Sequence, residues 1–380
     1  MNQTKEKYGA ENRPYCRQII KNLRHELHRC AELSMKEFRT KRILMDYIRE
    51  NTSCEVVDMD SWFLCIIGKD KPGKPIAFRA DMDALPIPET IALPYASEND
   101  DVSHKCGHDG HSACLCGLAP ELMKKPVDRS VYLVFQPGEE IGAGGKTCAE
   151  YLKKAGVSEV YAFHNLPGYP LNSIVIREGL TQPASEGLEL RFIGQCSHAS
   201  EPEKGINPTE TIAKTVLFAE TVSAEPHDGM VLCTVTGMNA GTGDFGISAG
   251  EGALFLTLRA ENEDEMKALE RKITEFAETE AKAKGLDFNY EIHDYYPETR
   301  NDADCMKKVR AAAVLAGKEL IEMKELWRAS EDFGYYTKNM PGAIFYIGTG
   351  EKAPLLHTPE YDFPDEIIET AVEVMRNLAH

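Results

Sequence analysis

Apolar positions recur at helical spacing twice near the start of the chain. Ile19, Ile20, Leu23 and Leu27 predict an amphipathic helix over residues 13–35, and a second helix over Lys36–Glu50 is stopped by the turn-prone Asn51, Thr52 and Ser53. Beyond them short apolar runs bounded by glycine and proline read as strands: IAFRADMDALP (76–86), VYLVFQPGEE (131–140), VYAFHNLPG (160–168) and GAIFYIGTG (342–350). Between and after these lie helical patterns: one from about Gly110 carrying Ala113, Leu115, Leu118 and Leu122, others near 302–317 and 330–338, and a closing helix over Asp365–Leu378. This alternation predicts an α/β fold, a mixed, mostly parallel sheet sandwiched by helices. The middle breaks the pattern. Strand (GLELRFIG), helix (NPTETIAKTVLFAETV), strand (MVLCTVTGM), strand (ALFLTLRA), helix (DEMKALERKITEFAETEAKAKG) and strand (FNYEIHDYY) give the β-α-β-β-α-β order of a ferredoxin-like α+β domain. We therefore expect an inserted domain over 183–294 within a discontinuous domain formed by 1–182 and 295–380.

The 380 residues suffice for two domains, and 42% apolar with 27% charged residues is ordinary for a soluble protein. A formal charge of -18 without a basic block argues against nucleic acid or an anionic membrane as partner. No apolar run is long enough to span a bilayer, and MNQTKEKYGAENRPY lacks the apolar core of a signal peptide. The 11 cysteines are odd in number and irregularly spaced; Cys65 in FLCIIG, Cys233 in VLCTV, and Cys114 and Cys116 read as reduced packing residues. A cytoplasmic setting is the expectation.

The chemistry collects at the ends of strands. HKCGHDGH (104–111) holds Cys106, His104, His108, His111 and Asp109 around Gly107 and Gly110, an arrangement that suits metal ligation and that a plain polar loop rarely assembles. Asp81 and Asp83 follow one strand, Glu139 and Glu140 another, His164 closes a third, and His357 lies in LLHTPEYDF after the last. Sites of open α/β sheets form at such carboxyl ends. Two adjacent glutamates in one turn can divide the work, one holding a metal and the other taking a proton from water. The residues themselves do not say which glutamate is the base, nor do they exclude His104, His111 or Asp109 as ligands. His25 and His28, on the first helix, read as structural hydrogen-bonders.

HKCGHDGH, FQPGEEIGAGG, YAFHNLP, CSHASEPEKGINP and LLHTPEYDF occur in one order along the chain. Together they resemble the dinuclear metal-dependent aminoacylase/carboxypeptidase family, in the branch of hippurate hydrolases and auxin-conjugate amidohydrolases. The resemblance implies a zinc-exopeptidase-like fold in which Cys106, His108, Glu140, His164 and His357 bind two divalent metal ions (Zn, Mn, Co or Ni), the cysteine bridging them. It implies that Glu139 is the general base and that Asp83 orients a ligand. The inserted domain becomes a lid and dimerisation domain, so that a homodimer forms through it and His198 reaches the partner subunit's site to stabilise the oxyanion. The implied substrate is a small N-acyl (or N-aroyl) amino acid, cleaved to a carboxylic acid and a free amino acid. A dipeptidase or carboxypeptidase with the same metals, or a catalytically silent binding protein on the same scaffold, are the alternatives. Arg259 suits a carboxylate clamp or an intradomain salt bridge. The chain departs from the family at Ala31 and Glu203, where proline and histidine are usual, and at Phe245–Ser248; the changes at Glu203 and Phe245 bear on substrate choice.

Overall fold

The computed structural model describes residues 17–380, so the amino-terminal stretch and the beginning of the first expected helix lie outside the described residues. Two compact units emerge: one runs to Thr181 and resumes over Arg300–Leu326 and Asp332–His380, the other comprises Gln182–Thr299 and Trp327–Glu331.

In the first unit α1 (Arg17–Arg29) buries Ile20, Leu23 and Leu27. It ends well before residue 35, because the chain after it is spent on other bonds. Leu33 bridges Ala84, the Ala84 N–H donates to the Glu32 carbonyl at 2.8 Å, and Met35 takes a left-handed φ of 62°. Next come α2 (Phe38–Asn51), β1 (Glu55–Met59), β2 (Trp62–Ile67), β3 (Gly73–Asp81), α3 (His108–Lys124), β4 (Arg129–Gln136), α4 (Gly145–Lys154), β5 (Glu159–Leu166), β6 (Ile174–Ile176) and β7 (Gly179–Gln182). The expectation that Cys65 is a reduced packing residue is corrected: it is joined to Cys54 by a disulfide at the β1–β2 hairpin, where the two Cα atoms stand 6.2 Å apart. Cys114 and Cys116 are free and fully buried, as expected of packing residues.

The second unit contains β8 (Ala184–Ile193), α5 (Thr209–Ser223), β9 (Val231–Ala240), β10 (Glu251–Ala260), α6 (Glu263–Lys284) and β11 (Asp287–Tyr296). Its sheet runs in the order β11-β8-β10-β9 with antiparallel neighbours, the spatial order of a ferredoxin-like domain. Leu188, Leu190 and Phe192 of β8 alternate inward and pack with Leu254, Leu256 and Leu258 of β10 and with Met266, Leu269 and Ile273 of α6.

After β12 (Thr299–Asn301) the chain supplies α7 (Ala303–Leu315), β13 (Leu320–Glu322), α8 (Gly334–Asn339), β14 (Gly342–Gly348) and α9 (Ile368–Ala379). α8 starts later than the sequence suggests, since the Asp332 carboxylate is drawn inward to accept from the Gly145 N–H at 2.8 Å and from Gln136 Nε2 at 2.7 Å. The eight-stranded sheet has the order β1-β2-β4-β3-β5-β14-β6-β13. Its centre, β4-β3-β5-β14, is parallel, while β1–β2, β2–β4 and β14–β6 pair antiparallel. β14 is buried throughout, as is the second half of β3, which explains why they read as continuous apolar runs rather than alternating ones. The carboxyl ends of these four neighbours carry, in spatial order, Glu139/Glu140, Asp81/Asp83, His164 and the loop to His357.

Candidate metal centre

Four strand ends and one helix start supply the site. Cys106 precedes α3 and His108 opens it. Between them Gly107 has φ 95°, and a Cβ there would lie 2.3 Å from the Asn165 amide oxygen, so only glycine fits. Gly110 has a different reason to be glycine: a Cβ would stand 2.4 Å from the Phe363 ring. Its value is close packing rather than a bend.

The donor atoms of Cys106, His108 and His164 lie within 4.8 Å of one another, as do those of Cys106, Glu140 and His357, and those of His108, Glu139 and Glu140. Hydrogen bonds settle which ring nitrogens face this cluster. His108 Nδ1 donates to the Asp83 carbonyl at 2.9 Å, which turns Nε2 inward, 3.7 Å from a Glu140 oxygen. His164 Nδ1 donates to the Asn165 carbonyl at 2.8 Å, and its Nε2 stands 3.5 Å from Cys106 Sγ. Anchoring one nitrogen to a backbone acceptor orients the other toward a metal. His357 is tied to the loop by its own N–H, which donates to the Lys105 carbonyl at 2.8 Å, and its Nε2 lies 3.4 Å from Glu140. Glu139 and Glu140 stand in a single 3₁₀ turn, Glu139–Ile141, framed by the left-handed Gly138 and Gly142. Asp83 holds this turn and the His108 ring together: its Oδ2 accepts from the Glu140 N–H at 2.9 Å.

The three residues of HKCGHDGH that the sequence left open are engaged differently. The Asn165 N–H donates to His111 Nε2 at 3.3 Å, so that nitrogen carries no proton, and Nδ1 donates to Asp81 Oδ1 at 2.6 Å. Both ring nitrogens of His111 are thereby spent. Asp109 bonds His28 at 2.9 Å and pairs with Arg24 at 3.3 Å. His104 is buried with neither nitrogen hydrogen-bonded, and burial pulls its pKa down to about 4. Asp81 carries more than a turn: Arg79 Nη1 donates to it at 2.7 Å and reaches Asp332 with Nη2 at 2.7 Å. The pairing of Asp81 and Asp83 at i, i+2 on one side of a strand end was the available signal.

His198 and Arg259 belong to the second unit. His198 is exposed; its Nδ1 accepts the Ser200 N–H at 3.2 Å and bonds Ser200 Oγ at 2.7 Å. Arg259 Nη1 donates to Ser330 Oγ at 2.7 Å and to the Arg328 carbonyl at 3.1 Å, so part of its guanidinium is spent within the unit, and burial lowers its pKa.

The donor set fits divalent cations. His108 Nε2 and Glu140 Oε1 are buried side-chain atoms without a hydrogen-bond partner among the described residues, which is costly unless another group completes them. Burial and then the charges of Glu140, Glu139 and Asp81 push the Cys106 thiol well above its ordinary pKa, so the thiolate needs a cation at hand. For His108 burial favours the neutral ring, but the charge of Asp81 and the bond to Asp83 outweigh it and raise the pKa to about 10.

The chain is similar over nearly its whole length to a solved dinuclear metal binding peptidase of the M20 family from Bacillus subtilis, with 26% identity, a TM-score of 0.80 and coverage of 96% of this chain and 97% of that one. It is 28% identical to the N-acetylcysteine deacetylase of Bacillus subtilis (strain 168), over 94% of this chain and 95% of that protein. It is 30% identical to the N-acetyldiaminopimelate deacetylase of Bacillus pumilus, over 94% and 96%. Residues 77–380 match the model of peptidase family M20/M25/M40, and the chain belongs to that family.

Proposed function

We propose that this chain is a metal-dependent hydrolase that cleaves the amide bond of N-acyl amino acids, releasing a carboxylic acid and a free amino acid. The observation that carries the reading is the convergence of thiol, imidazole and carboxylate donors, with His108 Nε2 and Glu140 Oε1 left without a hydrogen-bond partner among the described residues. Cys106, His108, Glu140, His164 and His357 would hold two divalent cations; Zn, Mn, Co and Ni all suit such donors. Bound there, the cations supply a polarised substrate carbonyl and a water of lowered pKa. Glu139 takes the proton from the attacking water and delivers it to the leaving nitrogen, so that the C–N bond breaks as the new C–O bond is kept. Asp83 keeps the His108 ring turned to its task and anchors the turn bearing Glu139.

The named activities of the relatives, deacetylation of N-acetylcysteine and of N-acetyldiaminopimelate, support the substrate class. The same reading gives the second unit the roles of lid and dimer contact, with His198 of one subunit stabilising the oxyanion in the other's site and Arg259 holding the substrate carboxylate. It sets the protein in the cytoplasm, a compartment in which a disulfide such as Cys54–Cys65 is uncommon.

The test is a panel. Protein stripped by chelator and reconstituted with each cation is assayed against N-acetyl and N-aroyl amino acids and against dipeptides. Turnover of at least one N-acyl amino acid, lost on chelation and restored by cation, is the expected result. Turnover of dipeptides alone would make the chain a dipeptidase, and no turnover at all would leave a binding protein.

A further inference from the structure

Glu37 stands where the N-cap of α2 belongs, yet glutamate is a poor N-cap and its side chain makes no cap bond there. It is instead 3% exposed and its Oε1 accepts the Gly138 N–H at 2.8 Å. Gly138 immediately precedes Glu139 and has φ 60°. On the far side of Glu139, the Glu140 N–H donates to Asp83 Oδ2 at 2.9 Å, and Ser34 Oγ donates to the same oxygen at 2.7 Å. Two buried carboxylates therefore grip the amides flanking Glu139, and the short segment Ser34–Glu37 reaches both grips. Met35, between them, is left-handed, and its sulfur lies so near Gly138 that a Cβ there would meet it at 2.8 Å.

The arrangement is costly. Burial, then the charge of Asp83, raises the Glu37 pKa to about 7. A carboxylate that caps no helix N–H and is buried near another carboxylate breaks a local rule, which is what a requirement of function produces.

We propose that Glu37 is a positioning residue for the hydrolysis assigned to Glu139: by holding the Gly138 N–H it fixes the Gly138–Glu140 backbone and thus the direction of the Glu139 carboxylate. The kinetic part rests on the hydrolase reading; the structural part does not.

Glu37→Gln keeps an oxygen acceptor, Glu37→Ala removes it, and Glu37→Asp keeps the charge while shortening the reach. In metal-free protein, amide exchange over peptides spanning Gly138–Glu140, followed by mass spectrometry, should quicken about tenfold in Glu37→Ala and in Glu37→Asp, and stay near wild type in Glu37→Gln. In the reconstituted enzyme, kcat should fall about tenfold to a hundredfold in Glu37→Ala with KM within about twofold, and Glu37→Gln should recover to within about threefold. If Glu37→Ala does not fold, Glu37→Asp carries the comparison. Wild-type exchange in the folded variants overturns the grip, and wild-type kcat with quickened exchange overturns its catalytic use. If the wild-type enzyme turns over nothing in the panel, the hydrolase reading fails, and the exchange comparison still decides the role of Glu37 in the turn.

Discussion

Two clusters of charge lie on either side of the loop 104–111, and cations of the described residues balance the acids of only one of them. Toward α1, Arg24 meets Asp109 at 3.3 Å, Asp362 at 2.8 Å and Asp365 at 2.9 Å; His28 meets Asp109 at 2.9 Å and Glu89 at 2.8 Å; Lys105 meets Glu89 at 2.5 Å. Every acid there has a cation of the protein itself. Toward the strand ends, burial and then neighbouring carboxylates push up the Cys106 thiol, and His108 Nε2 and Glu140 Oε1 have no hydrogen-bond partner among the described residues. Neighbours in sequence divide between the two: Lys105 and Asp109 serve the first, Cys106 and His108 the second. Each cluster has a fully buried heart and a more open member, Asp362 in the first and His357 in the second, so burial does not mark the site. Among the described residues, atoms without a hydrogen-bond partner occur in both, Arg24 Nη2 in the first; what distinguishes the second cluster is that its unpaired atoms, His108 Nε2 and Glu140 Oε1, are metal-ligand atoms that converge with a thiol.

The largest effect should follow from a change in the incomplete cluster that leaves its donors in place. Glu139→Gln preserves shape and removes the base, so kcat should fall about a thousandfold or more while the bound metal, measured by elemental analysis, stays at the wild-type ratio. Loss of metal in this variant would move Glu139 among the ligands. A second test asks whether a cation really replaces protons there. His108 has a pKa of about 10 and Cys106 one well above the ordinary thiol value, so near neutral pH each carries a proton that ligation must displace. The apparent affinity for Zn should rise by up to about a hundredfold per pH unit between about pH 6 and 8, with proton release visible by calorimetry in buffers of different ionisation enthalpy. An affinity flat across that window would mean the metal does not displace these two protons.

Much of this was legible in the sequence, and the exceptions have causes. The β-α-β-β-α-β order, the apolar runs of β3, β4, β5 and β14, and the gathering of Cys, His, Asp and Glu after them are periodicity and punctuation, which one chain displays. His111 could not be separated from His108 by spacing, because both project from the same turn of α3. What separates them is the Asn165 N–H, brought from β5 by tertiary structure. Residues 30–35 carry helix-compatible side chains but are held out of helix by the bridge to Ala84. Glu37 falls within the second helix that the sequence predicts, and only the fold shows its carboxylate at Gly138. The pairing of Cys65 with Cys54 was likewise invisible without the hairpin register.

The complete cluster should respond to pH more modestly, and in the opposite direction from metal binding. Burial alone would lower the pKa of His28, but its bonds to Asp109 and Glu89 outweigh that and raise it to about 9, against 6.5 for a free histidine. A group whose pKa rises on folding contributes stability below its unfolded value and loses it as the pH climbs through the folded one. Between about pH 7 and 9 the unfolding free energy should therefore drop by about 2 kcal/mol from this residue, measured by denaturant titration with saturating metal. The protons displaced from Cys106 and His108 also shift stability across that window, so the His28 part is read as the difference between wild type and variant under identical conditions. His28→Asn, which cannot take up the proton, should be less stable near pH 7 and should lack that part of the decline. An identical slope in wild type and variant would mean that His28 stays neutral when folded, that Arg24 and Lys105 alone balance the acids, and that the contrast between the two clusters rests on fewer charges than the geometry indicates.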